Sequence, residues 1–119
     1  MNIRIQVQGF SLTPSISARV HQRFNKALER FADELVDVDV FLKDINGPKG
    51  GNDKLALARV RLRFRPPVMV ETSRDDLYVA IDQTARRMRR AVKRSLRRNQ
   101  QLLRNGSRRL RQARALPAS

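Results

Sequence analysis

Arginine dominates one continuous stretch of the chain, DDLYVAIDQTARRMRRAVKRSLRRNQ, which runs from Asp75 to Gln100. A guanidinium group donates paired hydrogen bonds to phosphate oxygens and stacks on bases, so this residue type at this density points to phosphate binding. Like charges at helical i,i+4 spacing repel one another and lower the stability of a helix. The segment therefore indicates an external anionic partner, and nucleic acid is the leading class.

The composition of the whole chain favours the same class of partner. Its 119 residues carry a formal net charge of +15, whereas charges of mixed sign would be enough to keep a protein soluble. The length fits one domain with one modest core. An anionic membrane surface is the competing partner, but the basic segment lacks Trp and has a narrow apolar face, and interfacial helices have a broad one.

Residues that could catalyse a reaction or bind a metal are sparse. The chain has no Cys and a single His, His21, which lies beside the apolar stripe of a predicted helix. Asp75 and Asp76 are explained as acids that cap a helix N-terminus, and the Gly50-Gly51 pair lacks the GxxxxGK[ST] pattern of a phosphate-binding loop. We therefore predict a protein that is not an enzyme, with no catalytic residues, metal site, cofactor or small-molecule substrate.

Hydrophobic periodicity divides the first part of the chain into three elements. Residues 3–8 alternate between apolar and polar and predict a strand that ends at Gly9. Thr13 and Pro14 are typical of a helix start, and apolar residues every three or four positions predict a helix from Pro14 to about Glu34. Period two returns at residues 36–42, which predicts the second strand. The N-terminus lacks the apolar run of a signal peptide, so we expect a cytoplasmic protein.

The middle of the chain predicts two more strands. Turn-forming residues from Asn46 to Asp53 predict a hairpin loop. Strand three, about 55–65, has one side for the core and one cationic side, and Pro66-Pro67 ends it. Val68 and Val70 then open a short fourth strand. The core side of strand three comprises Ala58, Val60, Leu62 and Phe64, and the cationic side comprises Arg59, Arg61, Arg63 and Arg65.

The last predicted helix begins after the acids of SRDD, and its apolar residues recur every three or four positions from Leu77 to Leu96. This spacing places most of the arginines away from the core. Residues 99–119 are expected to extend this basic helix, to meet a stop signal at Asn105-Gly106, and then to form a disordered basic tail. We therefore place the functional domain at residues 1–98.

These elements predict an α+β fold of order β-α-β-β-β-α. Strands one and two flank a helix and are expected to be parallel through a right-handed crossover, while strands two to four form an antiparallel meander. Both helices have one apolar stripe and need the same sheet face. The prediction is a two-layer sandwich in which a four-stranded mixed sheet carries both helices on one face, and its other face stays wet.

The element order, and the sequence DDLYVAID at the start of a basic final helix, resemble the family of ribosome hibernation promoting factor and ribosome-associated inhibitor A. The similarity covers about Asn2 to Arg98 and includes the first helix, TPSISARVHQRFNKALERF. It implies a fold like that of double-stranded RNA-binding domains. It also implies binding to the small ribosomal subunit and its rRNA at the decoding region, where the protein blocks messenger and transfer RNA and silences translation in stationary phase or stress.

The resemblance also implies which residues bind RNA. Basic positions of the family's last helix match four arginines that are three or four residues apart and so share one helical face, and two basic positions match in the first helix. We add Arg86 and Lys93 of the last helix to this set. The predicted RNA-binding residues are Arg87, Arg90, Arg94, Arg98, Arg23, Lys26, Arg86 and Lys93.

Three functions stay open at this point. The chain resembles a short family form, which either pairs ribosomes together with a second hibernation factor or prevents pairing. A general binder of double-stranded RNA or DNA with the same fold is the first alternative. An interaction or regulatory protein that applies its Arg-rich face to an acidic protein is the second.

Overall fold

The computed structural model describes the backbone of residues 1–45 and 53–115 and the side chains of residues 1–45 and 53–98. Most of the predicted hairpin loop, residues 46–52, lies outside this part. The order β-α-β-β-β-α is confirmed. The elements are β1 (Ile3–Gln8), α1 (Pro14–Leu28), a 3₁₀ segment (Glu29–Glu34), β2 (Leu35–Asp44), β3 (Lys54–Leu62), β4 (Val68–Arg74) and α2 (Leu77–Ala115).

The four strands form one sheet in the order β1-β2-β3-β4. β1 pairs with β2 in parallel, with Ile5 opposite Val40. β2 and β3 pair antiparallel, with Val40 opposite Ala58, and β3 pairs with β4 in the same way, with Ala58 opposite Val70. The register brings these apolar residues into one row on one face. The predicted topology is therefore confirmed, including the parallel crossover through α1.

Both helices pack their apolar stripes against that row and against each other. Phe24 of α1 and Met88 of α2 are completely buried, and so are Val38 and Val60 of the two central strands. Because the stripes of α1 and α2 share one core with the sheet, the molecule is the predicted two-layer α+β sandwich. The core residues of the helices are Ile16, Val20, Phe24 and Leu28 in α1, and Ala80, Ile81, Ala85, Met88 and Val92 in α2.

Both helix starts are capped as their sequences predict. The Thr13 hydroxyl oxygen accepts a hydrogen bond of 3.2 Å from the backbone N–H of Ile16. At α2, a carboxylate oxygen of Asp76 accepts one of 2.8 Å from the N–H of Tyr78. Gly9, directly after β1, has a φ of +88°, and a Cβ there would collide with the backbone carbonyl oxygen of Asp44. Only glycine fits this turn.

Two predicted boundaries before β3 are wrong. The α-helix ends at Leu28, and the 3₁₀ segment replaces the expected last turns up to Glu34. Both helix types repeat after three or four residues, so the apolar spacing could not separate them. In β2, a register shift between Leu35 and Asp37 buries these two residues and leaves Val36 exposed. A bulge of this kind adds one residue and reverses the alternation.

Two predictions after β3 are also wrong. Phe64, expected in the core, is fully exposed, because β3 ends at Leu62 and the alternation no longer applies. α2 does not stop at Asn105-Gly106 but continues to Ala115. A glycine inside a helix costs only about 1 kcal/mol relative to alanine, and the Leu, Arg, Gln and Ala residues around this pair favour helix. Residues 116–119 of the predicted tail lie outside the described part.

Candidate nucleic-acid interface

The charge of the molecule is concentrated in α2. No Asp or Glu follows Asp82 in the sequence, whereas 13 of the 26 Lys and Arg residues do. The first 82 residues contain the other 13 basic residues together with all 11 acidic ones, so their net charge is only +2. The excess that makes the protein basic therefore belongs to one helix.

Three predicted RNA-binding residues meet in a groove between the two helices. Arg23 and Lys26 of α1 face Arg86 of α2 across it, and the groove encloses about 320 Å³. Its floor includes the small side chains of Ala27 and Ala85, which let the basic groups approach from both sides. We call this the inter-helix groove. Four cations around a cleft of this size suit a phosphate group, and the fourth is Arg89, which sequence reasoning missed.

Asp82 binds two arginines of α1 at the edge of this groove. Its carboxylate accepts hydrogen bonds of 3.0 Å from Nε and 2.9 Å from Nη2 of Arg19. The same carboxylate forms an ion pair with Nε of Arg23 at 3.2 Å, an atom that is buried and donates no hydrogen bond. The hydrogen bonds from Arg19 to Asp82 raise the pKa of that guanidinium. Asp82 thus fixes two basic side chains beside a surface that has few acids.

Tyr78 completes this arrangement. The guanidinium carbon of Arg19 lies 5.4 Å from the centre of the Tyr78 ring, within the range of a cation–π interaction. The ring keeps more than a third of its surface exposed. The structure therefore places the Tyr78 ring under Arg19 of the first helix.

The predicted arginines on the other side of α2 approach β4. Arg94 and Arg98 line a second groove, of about 470 Å³, with Pro66 and Pro67 at the end of the β3–β4 turn. We call this the proline groove. Arg87 is partly used within the fold, because its Nη1 donates 2.7 Å and 3.0 Å hydrogen bonds to the carbonyl oxygen of Glu71 and the hydroxyl of Thr72.

The two remaining predicted residues lie between the grooves. Arg90 and Lys93 are exposed on the outer surface of α2. At about 100° per residue, positions 86, 90 and 94 step around this surface from one groove toward the other. The eight predicted residues therefore form one band that crosses α2 and includes Arg23 and Lys26 of α1, instead of a single cluster. A band of this type can follow a phosphate backbone, and it holds no arrangement that would read base identity.

The open face of the sheet is less cationic than predicted. Arg61 donates hydrogen bonds of 2.8 Å and 2.5 Å to the carboxylate of Asp37, and Arg4 donates two, of 2.7 Å and 3.1 Å, to Asp39. Hydrogen bonding to Arg61 lowers the pKa of Asp37. Acids on β2 therefore pair with Arg4 of β1 and Arg61 of β3.

Two of the four predicted sheet-face arginines do not belong to the sheet. Arg63 and Arg65 follow the end of β3 at Leu62, and Arg65 forms an ion pair of 2.9 Å with Glu34. Arg59 remains exposed on the open face. The prediction of a row of four cations is wrong here, because the strand is shorter than its alternation.

The part of the chain that the structure describes contains no group of three or more His, Asp or Glu residues that could hold a metal ion. Within the same residues, no helix combines the length and the apolar composition that crossing a membrane requires.

Comparison with known proteins assigns the chain to a family. The family model described as sigma 54 modulation protein / S30EA ribosomal protein matches residues 3–100. The N-terminal domain of Protein Y from Thermus thermophilus is similar in structure, with a TM-score of 0.66 and 28% identity over 79% of this chain and 98% of that one. No curated protein sequence matches the chain.

A ribosomal subunit interface protein from Coxiella burnetii shares the fold, with a TM-score of 0.60 and 21% identity over 78% of this chain and 96% of that one. The family match spans most of the chain and includes α1 and the part of α2 up to residue 100. It confirms the resemblance that the DDLYVAID segment indicated. The chain therefore belongs to the sigma 54 modulation protein / S30EA ribosomal protein family.

Proposed function

We propose that this protein is a ribosome-associated hibernation factor that binds the small subunit at the decoding region and silences translation. Its family is one of ribosome-binding modulation proteins and not a known class of enzyme. In this proposal the folded domain occupies the path of messenger and transfer RNA in idle cytoplasmic ribosomes, in stationary phase or stress. The proposal includes a second hibernation factor as a further partner.

The observation that carries the proposal is the position of the charge within the family fold. The family match ends at residue 100, and the residues that make the protein basic begin directly after Asp82. The matched region thus includes the inter-helix groove, the outer arginines of α2 and the proline groove. Guanidinium groups in such a band bind phosphate oxygens without regard to sequence, and release of counterions adds to the affinity.

The electrostatic mechanism makes a quantitative expectation. If about six phosphates are neutralised, the logarithm of the binding constant should fall with the logarithm of salt concentration with a slope of about −4 to −5. Nuclease treatment distinguishes an acidic protein partner from RNA, because a complex with a protein would stay intact. A general duplex binder would bind duplex RNA as well as it binds an equal mass of small subunits.

Sucrose-gradient sedimentation of purified ribosomes with the protein, at a moderate and a high salt concentration, tests the proposal. We expect the protein to migrate with small subunits or single ribosomes at moderate salt and to leave them at high salt. Messenger and transfer RNA added in excess should displace it from the subunit. A protein that stays at the top of the gradient in both salts would exclude ribosome binding.

A charge-reversed variant tests the site itself. Replacing Arg90, Arg94 and Arg98 with Glu should abolish binding to small subunits, because the new carboxylates repel phosphate groups. The fold should stay intact, since none of these side chains is buried. The matched control replaces three exposed arginines outside α2 and changes the net charge by the same amount. That control comprises Arg30→Glu, Arg59→Glu and Arg74→Glu. If the two folded variants lost binding to the same extent, net charge would matter and the band would not.

A further inference from the structure

Phe64 is an aromatic residue that the fold holds entirely in water. Its exposed fraction is 102%, the largest of any exposed large hydrophobic side chain in the described part of the chain. Its φ is +59°, and it is the one non-glycine residue with a positive φ among the described residues. A bulky residue in the left-handed region is strained. The side chain of Phe64 therefore contributes no free energy of burial to the fold, and its backbone conformation lowers the stability.

The segments on both sides of Phe64 hold it in this position. The N–H of Arg63 donates a hydrogen bond of 2.9 Å to the carbonyl oxygen of Glu34. The guanidinium of Arg65 binds the side chain of the same Glu34 at 2.9 Å. Pro66-Pro67 follows, and each proline ring fixes its own φ. The ring is thus presented on a turn that is anchored before and after it.

The surroundings of this turn are basic. Arg63 is exposed, and the nearest acid in these contacts, Glu34, is already paired with Arg65. Pro66 and Pro67 form one wall of the proline groove, whose other wall carries Arg94 and Arg98. An exposed aromatic ring two residues before the wall of a groove that carries cations matches a ligand that has both a flat apolar face and a phosphate. This combination is that of an unpaired nucleotide in single-stranded RNA.

We propose that Phe64 stacks on an unpaired base of a bound RNA strand, whose phosphates lie against Arg94 and Arg98. Stacking accepts any base, so the contact adds affinity for single-stranded segments without reading sequence. The inference rests on the proposed function only in taking RNA as the partner. It assigns a base contact to a protein whose basic band by itself contacts the phosphate backbone alone.

Fluorescence anisotropy with two short labelled strands tests the contact. One strand is oligoadenylate, and the other is an abasic strand with the same number of phosphates. Phe64→Leu keeps an apolar side chain but removes the ring, and it should weaken binding to oligoadenylate by about tenfold or more. Its affinity for the abasic strand should equal that of the wild type. Phe64→Trp should retain or increase the affinity for oligoadenylate.

Ile45→Ala is the matched control, because Ile45 is also an exposed apolar residue, at 57%, but lies directly after β2 and does not line the proline groove. We expect it to bind both strands as the wild type does. Circular dichroism of each variant verifies the fold. Equal binding of oligoadenylate by Phe64→Leu and wild type would overturn the stacking proposal. It would also be overturned if sedimentation showed that Phe64→Leu loses only self-association of the protein.

The wild type separates this inference from the proposed function. Wild-type protein that binds oligoadenylate through Phe64 but does not bind small subunits would leave the stacking contact standing and refute the ribosomal function. If the wild type binds small subunits and Phe64→Leu binds oligoadenylate as tightly as the wild type does, the ribosomal function stands and the stacking contact is refuted. Failure of the wild type to bind either form of RNA would overturn both.

Discussion

The carboxylate of Asp82 in α2 accepts two hydrogen bonds, of 3.0 Å and 2.9 Å, from the guanidinium of Arg19 in α1. It is the last acid in the sequence and lies where the basic band begins. A negative charge at this point should oppose the binding of an anion. Its contacts with Arg19 and Arg23 indicate that its contribution is to orient cations and to join the two helices.

The sign of the effect of Asp82→Asn tests this role. Loss of a negative charge alone would raise the affinity for RNA, whereas loss of orientation should lower it. We expect binding to small subunits to weaken by about three- to tenfold, measured at one fixed salt concentration. The control is Asp39→Asn, which makes the same charge change and removes the closer of the two carboxylate partners of Arg4 on the open sheet face. Tighter binding by Asp82→Asn than by the control would contradict an orienting role.

Arg87 and Arg90 should differ in what they do for the fold. Arg87 donates two hydrogen bonds to β4, so Arg87→Ala is expected to lower the free energy of unfolding by about 1 kcal/mol. Arg90→Ala removes an exposed side chain and should change it by less than about 0.5 kcal/mol. Urea unfolding of both variants measures the difference. Equal stability of the two would show that the contacts of Arg87 with Glu71 and Thr72 are energetically silent.

The buried carboxyl of Asp37 should contribute to acid unfolding. Hydrogen bonds from Arg61 lower its pKa in the folded state, so as the pH falls the unfolded chain takes up the proton first. The stabilisation is therefore complete above the ordinary pKa of Asp and is lost as the pH falls through the folded-state value. We expect wild type to be more stable than Asp37→Asn near pH 7, and the gap to shrink below about pH 4.

Urea midpoints of both proteins from neutral to strongly acidic pH measure this gap. Asp53→Asn, at an acid whose ion pair with Lys54 is longer, 3.6 Å, serves as the control and should give a smaller gap. A wild-type advantage that grows toward acid pH would have the wrong sign for a carboxyl with a lowered pKa.

The continuation of α2 through Gly106 can be tested by one substitution. Gly106→Ala adds a methyl group and favours a helix by about 1 kcal/mol at an interior position. We expect a greater helical signal in circular dichroism, most visible at moderate temperature, with the urea midpoint of the domain unchanged. If residues around position 106 were not helical, this substitution would leave the spectrum as it was.

Much of the fold could be predicted because its apolar residues follow simple periods. Alternation gave β1, and the spacing of three or four gave the stripes that place Phe24 and Met88 in the core. Phe64 was placed wrongly because alternation continues in the sequence after the hydrogen-bonded strand has ended. The bulge at Val36 was invisible for a similar reason, since a bulge changes the side of a residue without changing its type.

The candidate site was predictable in its outline and not in its pairings. Helical spacing placed Arg90, Arg94 and Arg98 on the exposed surface of α2, where they lie. It did not indicate that Asp82 would hold Arg19, because that contact joins residues 63 positions apart. Neutralisation of the open sheet face did have a signal in the sequence. Asp37 and Asp39 alternate with core valines on the strand next to Arg59 and Arg61.

The length of α2 affects how quickly the protein meets RNA. The helix has 39 residues, about 58 Å at a rise of 1.5 Å per residue. Its last core-contacting residue within the described side chains is Leu96, and residues 97–115 form a helical arm with seven more arginines. Screening limits attraction to about 8 Å from each charge at physiological ionic strength. The arm enlarges the target for diffusional encounter, and salt should slow association more than it speeds dissociation.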